Sequence, residues 1–129
     1  MRVADLMTKD VRSCAPTGTL NDAARGLWAN EGGVVPVVDD ARTVVGMITD
    51  GDLGMASYTY GRPLRHISVD RVMARTLLVC RPDSSLTEAA ETMRRARVRR
   101  LLVTDERGGL VGLIALKDIT RAGRPGTAE

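Results

Sequence analysis

Two tetrapeptides concentrate the groups that could do chemistry: Thr49-Asp50-Gly51-Asp52 and, 66 residues later, Ala115-Leu116-Lys117-Asp118. On its residues alone, a hydroxyl followed three positions on by a carboxylate is a helix capping box, in which each side chain accepts a hydrogen bond from the other residue's backbone N–H. A second chemistry is offered by Arg94-Arg95-Ala96-Arg97-Val98-Arg99-Arg100, the densest run of positive charge in the chain. Guanidinium and ammonium groups make charge-assisted hydrogen bonds to phosphate oxygens, although the same cations suit a helix C-terminus or a solvated face. Arg97 and Arg99 are the candidates for phosphate contacts, with Lys117 a third, at a separate site. Catalysis has little to draw on, because no nucleophile–base constellation, metal-ligand cluster or glycine-rich phosphate loop is present. Asp50 and Asp52 at a helix start would point apart, and His66 is the single histidine and reads as a surface residue. Cys14 and Cys80 read as buried, reduced thiols. The chain is expected not to be an enzyme.

Composition agrees with a small binding or interaction module. The 129 residues are 43% hydrophobic and 27% charged, within the range of soluble globular chains. Phe is absent and the aromatics are Trp28, Tyr58 and Tyr60, so base stacking has almost no platform. The net charge of +3 suits phosphate binding and does not by itself argue for nucleic acid. The N-terminus is already charged and lacks the apolar region of an export signal. No apolar run is long enough for a membrane span, so the expected location is cytoplasmic.

The elements that must position these residues follow from an internal repeat. A shift of 66 residues aligns Asp5–Gly54 with Arg71–Thr120 without a gap, matching Met7 with Met73, Cys14 with Cys80, Pro16 with Pro82, Leu20 with Leu86, Asp39 with Asp105 and Asp52 with Asp118. Each copy opens with an extended stretch, Val11–Cys14 or Leu77–Cys80. A helix follows, with the apolar stripe Leu20, Ala23, Ala24, Leu27 and Trp28 capped by Thr19 and Asp22, or Leu86, Ala89, Ala90 and Met93 capped by Ser85 and Glu88. Gly32-Gly33 is expected to stop the first helix. A hairpin of half-buried strands comes next, Val34–Val38 with Val44–Thr49 or Leu101–Thr104 with Leu110–Ala115. A second helix begins near Asp50 and Leu116. The predicted class is α+β, two tandem β-α-β-β-α units over residues 1–56 and 71–121, with residues 57–70 as connector and 122–129 as a flexible tail. A copy of about 50 residues buries only a modest core, so the copies are expected to pack on each other about a pseudo-two-fold axis.

The segments Gly46-Met47-Ile48-Thr49-Asp50-Gly51-Asp52-Leu53 and Gly112-Leu113-Ile114-Ala115-Leu116-Lys117-Asp118-Ile119 resemble the signature that ends a CBS domain. The opening Asp-Leu-Met-Thr and Arg-Val-Met, and Val35-Pro36-Val37-Val38-Asp39, agree. The resemblance runs from about Val3 to Arg121 and implies a CBS pair, or Bateman module, that binds AMP, ADP, ATP or S-adenosylmethionine. By that resemblance Thr49 and Asp52 contact the ribose and face Thr76, Leu77, Leu78, Arg97 and Val98, while Asp118 meets Thr8, Val11, Arg12, Gly32 and Gly33. A carboxylate can accept from both vicinal ribose hydroxyls, which makes the role physically reasonable. Ala115 replaces Thr49 in the second copy, so that site is expected to bind more weakly. The implied role is regulatory, with no obligatory cofactor, a homodimer and an unidentified effector protein. The alternatives are a dimerisation or partner-binding scaffold with a decayed site and, with less support, nucleic-acid binding through the Arg run.

Overall fold

The computed structural model describes residues 1–30 and 33–123. Gly32, a predicted ligand contact, and residues 124–129 of the predicted tail lie outside the described residues. In chain order the elements are α1 (Val3–Leu6), α2 (Leu20–Ala29), β1 (Val34–Val38), β2 (Val44–Thr49), α3 (Asp50–Tyr60), β3 (Val79–Cys80), α4 (Leu86–Ala96), β4 (Arg100–Thr104), β5 (Leu110–Ala115) and α5 (Leu116–Ala122). No helix among the described residues is long and apolar enough to cross a membrane.

The two copies build the same local structure for the same reasons. β1 pairs antiparallel with β2 from Val34↔Thr49 to Val38↔Val44, and β4 with β5 from Arg100↔Ala115 to Thr104↔Leu110, each with an irregularity at its last pair. Asp39 and Asp105 set the two turns by the same device. The Oδ1 of Asp39 accepts from the backbone N–H groups of Ala41 at 3.0 Å and Thr43 at 2.9 Å. That of Asp105 accepts from Arg107 at 2.9 Å and Gly109 at 2.8 Å. Such side-chain bonds to the backbone two residues on are why Asp favours turns.

Contacts divide the chain into two compact units that do not coincide with the repeats. One is Val11–Leu77; the other joins Met1–Asp10 to the described residues from Leu78 onward. In the first unit Met47 and Ala74 exchange backbone bonds of 3.0 and 2.9 Å, so a segment of the second repeat covers the edge of β2. In the other unit Thr8 and Leu113 exchange bonds of 2.8 and 2.9 Å, covering β5 in the same way. Each pairing demands a glycine. A Cβ on Gly46 would lie 2.5 Å from the Sδ of Met73 and 3.1 Å from the Ala74 carbonyl oxygen, and one on Gly112 would lie 2.7 Å from the Sδ of Met7 and 2.9 Å from the Thr8 carbonyl oxygen. The methionine that opens one repeat and the signature glycine of the other are thus halves of a single contact.

The core of the Val11–Leu77 unit gathers Cys14, Leu20, Ala23, Leu27, Val35, Val37, Ile48, Ala56, Ile67 and Val69. That of the other unit gathers Val3, Ala89, Met93, Leu101, Val103 and Ile114. Several sequence expectations change here. Within the expected connector, residues 57–70, α3 runs on to Tyr60, helical turns form at Leu64–His66 and Val69–Arg71, and Ile67 and Val69 are buried. β1 is buried along its whole length, with only β2 alternating, and on its Val35 face α2 presses so close that a Cβ on Gly26 would lie 2.6 Å from Val35. Trp28, expected on the apolar stripe of α2, is 88% exposed. The helix ends at Ala29, where Asn30 closes it. The opening strands are shorter than expected: Cys14 makes a single parallel bridge to Val37, and β3 spans Val79–Cys80.

Candidate ligand site

In the Val11–Leu77 unit, β2 delivers Thr49 to the N-cap of α3. The Thr49 N–H donates to Asp52 Oδ2 at 2.9 Å and the Asp52 N–H donates to Thr49 Oγ1 at 3.3 Å, a complete capping box. Both side chains are half-buried, and one Asp52 oxygen remains without a partner among the described residues. Asp50, exposed, accepts from the Gly33 N–H at 3.1 Å. Of the other predicted contacts, Val11 is half-buried and Arg12 exposed. The Arg12 backbone is clamped by Asn30, whose Oδ1 accepts from its N–H and whose Nδ2 donates to its carbonyl, both at 2.9 Å. Asn30 was missed in the sequence because its amide acts on backbone 18 residues away. Thr76 is exposed and Leu77 half-buried in the same unit.

In the other unit Ala115 stands at the N-cap of α5 and supplies no side-chain cap. Asp118 is half-buried and, unlike Asp52, is not drawn into a capping box. Thr8 is exposed, with its backbone bonded to Leu113. Leu78 and Val98 pack against the hydrophobic core. Arg97 ends α4 in the left-handed region, at φ 58° and ψ 40°, a conformation that costs a residue with a Cβ. The backbone carbonyl of Arg99 accepts from the Leu116 N–H at 2.8 Å.

A pocket of about 470 Å³ opens between the start of β4 and α5, lined by Arg99, Arg100, Ala115, Leu116, Lys117, Thr120 and Arg121. It brings together Arg99 and Lys117, phosphate candidates that were expected at separate sites, and does not include Arg97. It also adds Arg100 and Arg121, which sequence reasoning did not select: Arg100 was one cation among many in its run, and Arg121 is the last residue of the second repeat, outside that run.

The cysteines are buffered against reaction. Burial, reinforced by the negative charge of Asp22, pushes the Cys14 thiol up to about 11. Burial pushes Cys80 to about 11 as well, against the pull of Arg81. Among the described residues no group of three or more His, Cys, Asp or Glu is placed to hold a metal ion.

The duplicated α+β fold and its signature segments define a class of module rather than a catalyst. The chain belongs to the CBS-domain family, whose model matches residues 3–56 and 69–124; modules of this family are regulatory, non-catalytic folds. The CBS domain-containing protein YhcV of Bacillus subtilis is 33% identical over 91% of this chain and 81% of its own length. A homoserine O-acetyltransferase of Methanococcoides burtonii is 30% identical over 92% of this chain, which spans only 23% of that enzyme. Among solved structures, CBSX2 in complex with AMP superposes with a TM-score of 0.77 at 30% identity, covering 94% of both chains.

Proposed function

We propose that this chain is a regulatory module that binds an adenosine-containing ligand, AMP, ADP, ATP or S-adenosylmethionine, and signals to a partner protein. The observation that carries the reading is the near full-length similarity to a CBS pair that binds AMP, together with an intact Thr49-x-x-Asp52 and a second carboxylate at Asp118. Thr49 and Asp52 receive the ribose at one site, with Thr76, Leu77, Leu78, Arg97 and Val98 as its further contacts. Asp118 receives it at the other, with Thr8, Val11 and Arg12; Arg97, Arg99 and Lys117 are the phosphate contacts. Lacking the hydroxyl of Thr49, the Asp118 site holds an unphosphorylated adenosine about tenfold more weakly, the loss of one net hydrogen bond.

A ligand regulates only by binding two conformations unequally, and the output requires a partner. The exposed side chains of Trp28, Met55 and Tyr58, at 88%, 64% and 86% exposure, support a helix-mediated homodimer. The same residues support a second reading, a partner-binding scaffold with a decayed ligand site.

Titration calorimetry with AMP, ADP, ATP and S-adenosylmethionine on the wild type, Asp52→Ala and Asp118→Ala decides between them. Heat with at least one compound, reduced by a single Asp substitution, supports the sensor. No heat with any of the four supports the scaffold.

A further inference from the structure

Among the described residues, the lining of the pocket carries four cations, Arg99, Arg100, Lys117 and Arg121, and no carboxylate. Among the described residues Arg99, Arg100 and Arg121 have no ion-pair partner. The repeat supplies an internal control. At the positions of Arg99, Arg100, Lys117, Thr120 and Arg121 the first copy carries Gly33, Val34, Gly51, Gly54 and Met55. Where the second copy has Leu116, the first has Asp50, whose carboxylate accepts from the Gly33 N–H at 3.1 Å. Among the described residues, this corner of the fold therefore carries four cations in one copy, while the matching positions of the other carry a carboxylate and no cation.

We infer that the unit carrying Asp118 takes a phosphorylated ligand, with the phosphate chain of a nucleoside di- or triphosphate in this pocket, and that the unit carrying Asp52 takes adenosine ligands without a phosphate chain. This rests on the adenosine reading for the rest of the ligand; the anion pocket stands on its own residues. Several cations converging on one cavity favour a chain of phosphates over a single charge, because each anionic oxygen gains a charge-assisted bond. Asp50 would meet such a chain with like charge. The two copies thereby rank ligands in opposite orders: adenosine prefers the site with the Thr49 hydroxyl, and ATP the site with the cations.

The experiment is calorimetry of the full chain with inorganic tripolyphosphate, ATP and adenosine. The proteins are the wild type, the Lys117→Ala, Arg121→Ala double variant, and Arg94→Ala, Arg95→Ala, which removes equal charge from α4 outside the pocket. The expected result is tripolyphosphate and ATP binding weakened at least about tenfold in the first double variant and little changed in the second, with adenosine unaffected by either. Adenosine binding falls instead in Asp52→Ala. No tripolyphosphate binding by the wild type, or equal losses in both double variants, overturns the pocket. Displacement of ATP by a short oligothymidylate at lower concentration than by tripolyphosphate overturns it in favour of a nucleic-acid backbone. If tripolyphosphate behaves as expected but neither ATP nor adenosine gains from its nucleoside, the anion pocket holds and the adenosine reading fails.

Discussion

Arg97 and Arg42 sit at positive φ, at 58° and 66°, in a region where an L side chain crowds the backbone. The second copy solves the Arg42 problem with Gly108, at φ 82°. Arg42→Gly should therefore stabilise the chain by about 0.5–1 kcal/mol, the balance between released strain and the added freedom of the unfolded glycine. Arg97→Gly should do the same, and loss of nucleotide affinity alongside a higher Tm would show that its cation is used for binding. The cysteines offer a second test at this scale. With both thiols held near 11, the native protein should be alkylated by iodoacetamide at neutral pH roughly a hundredfold more slowly than the unfolded chain, in proportion to thiolate fraction. Because the folded pKa values are raised, the contribution of these thiols to stability is complete below the unfolded value and is lost as pH climbs toward 11. Urea midpoints measured across that alkaline window check the sign.

Helix ends are where the two copies differ as elements. α2 and α4 both carry full capping boxes: the Thr19 N–H donates to Asp22 at 3.0 Å and the Ser85 N–H to Glu88 at 3.2 Å. Those backbone bonds, foremost among the causes, hold the Asp22 and Glu88 carboxyls below their usual range. Their stabilisation is present above the unfolded carboxyl pKa and lost as pH falls through the lowered folded values. Glu88→Gln should flatten part of the acid limb of a Tm-against-pH curve while leaving neutral stability nearly unchanged. α5 lacks its cap. Ala115→Thr restores a hydroxyl three residues before Asp118 and should raise stability by about 0.5–1 kcal/mol. It should also narrow the adenosine preference for the Asp52 unit, read by calorimetry on Asp52→Ala with and without the added threonine.

At the scale of the whole molecule, the unexpected feature is that each compact unit is completed by the opening segment of the other repeat. Deleting Met1–Asp10 removes the fully buried Val3 and the Thr8–Leu113 pairing. It should therefore destabilise the unit built from Leu78 onward by at least about 2 kcal/mol, the burial of one large aliphatic side chain. Hydrogen exchange locates the effect: the Leu113 amide should lose protection while the Met47 amide, bonded to Ala74, keeps it. Gly46→Ala and Gly112→Ala should each cost about 1–3 kcal/mol by overpacking the methionine contact.

The sequence by itself determined whatever closes within a short window or repeats along the chain. The offset of 66 residues is a repetition visible in the chain itself, and the Asp39 and Asp105 turns, the capping boxes at Thr19, Thr49 and Ser85 and the paired hairpins are contacts between residues near in sequence, so spacing and residue type suffice to reveal them. The repeat also held an unread clue: Arg94 stands where Trp28 stands, a poor candidate for a core position. Tertiary structure alone decided which segment covers which strand edge, since any extended backbone can pair there and only the fit of Met7 on Gly112 and Met73 on Gly46 selects the partner. It also decided which members of a long basic run converge. Charge is visible in a sequence, but direction is set by where β4 begins and α5 turns, and that places Arg99, Arg100, Lys117 and Arg121 around one pocket.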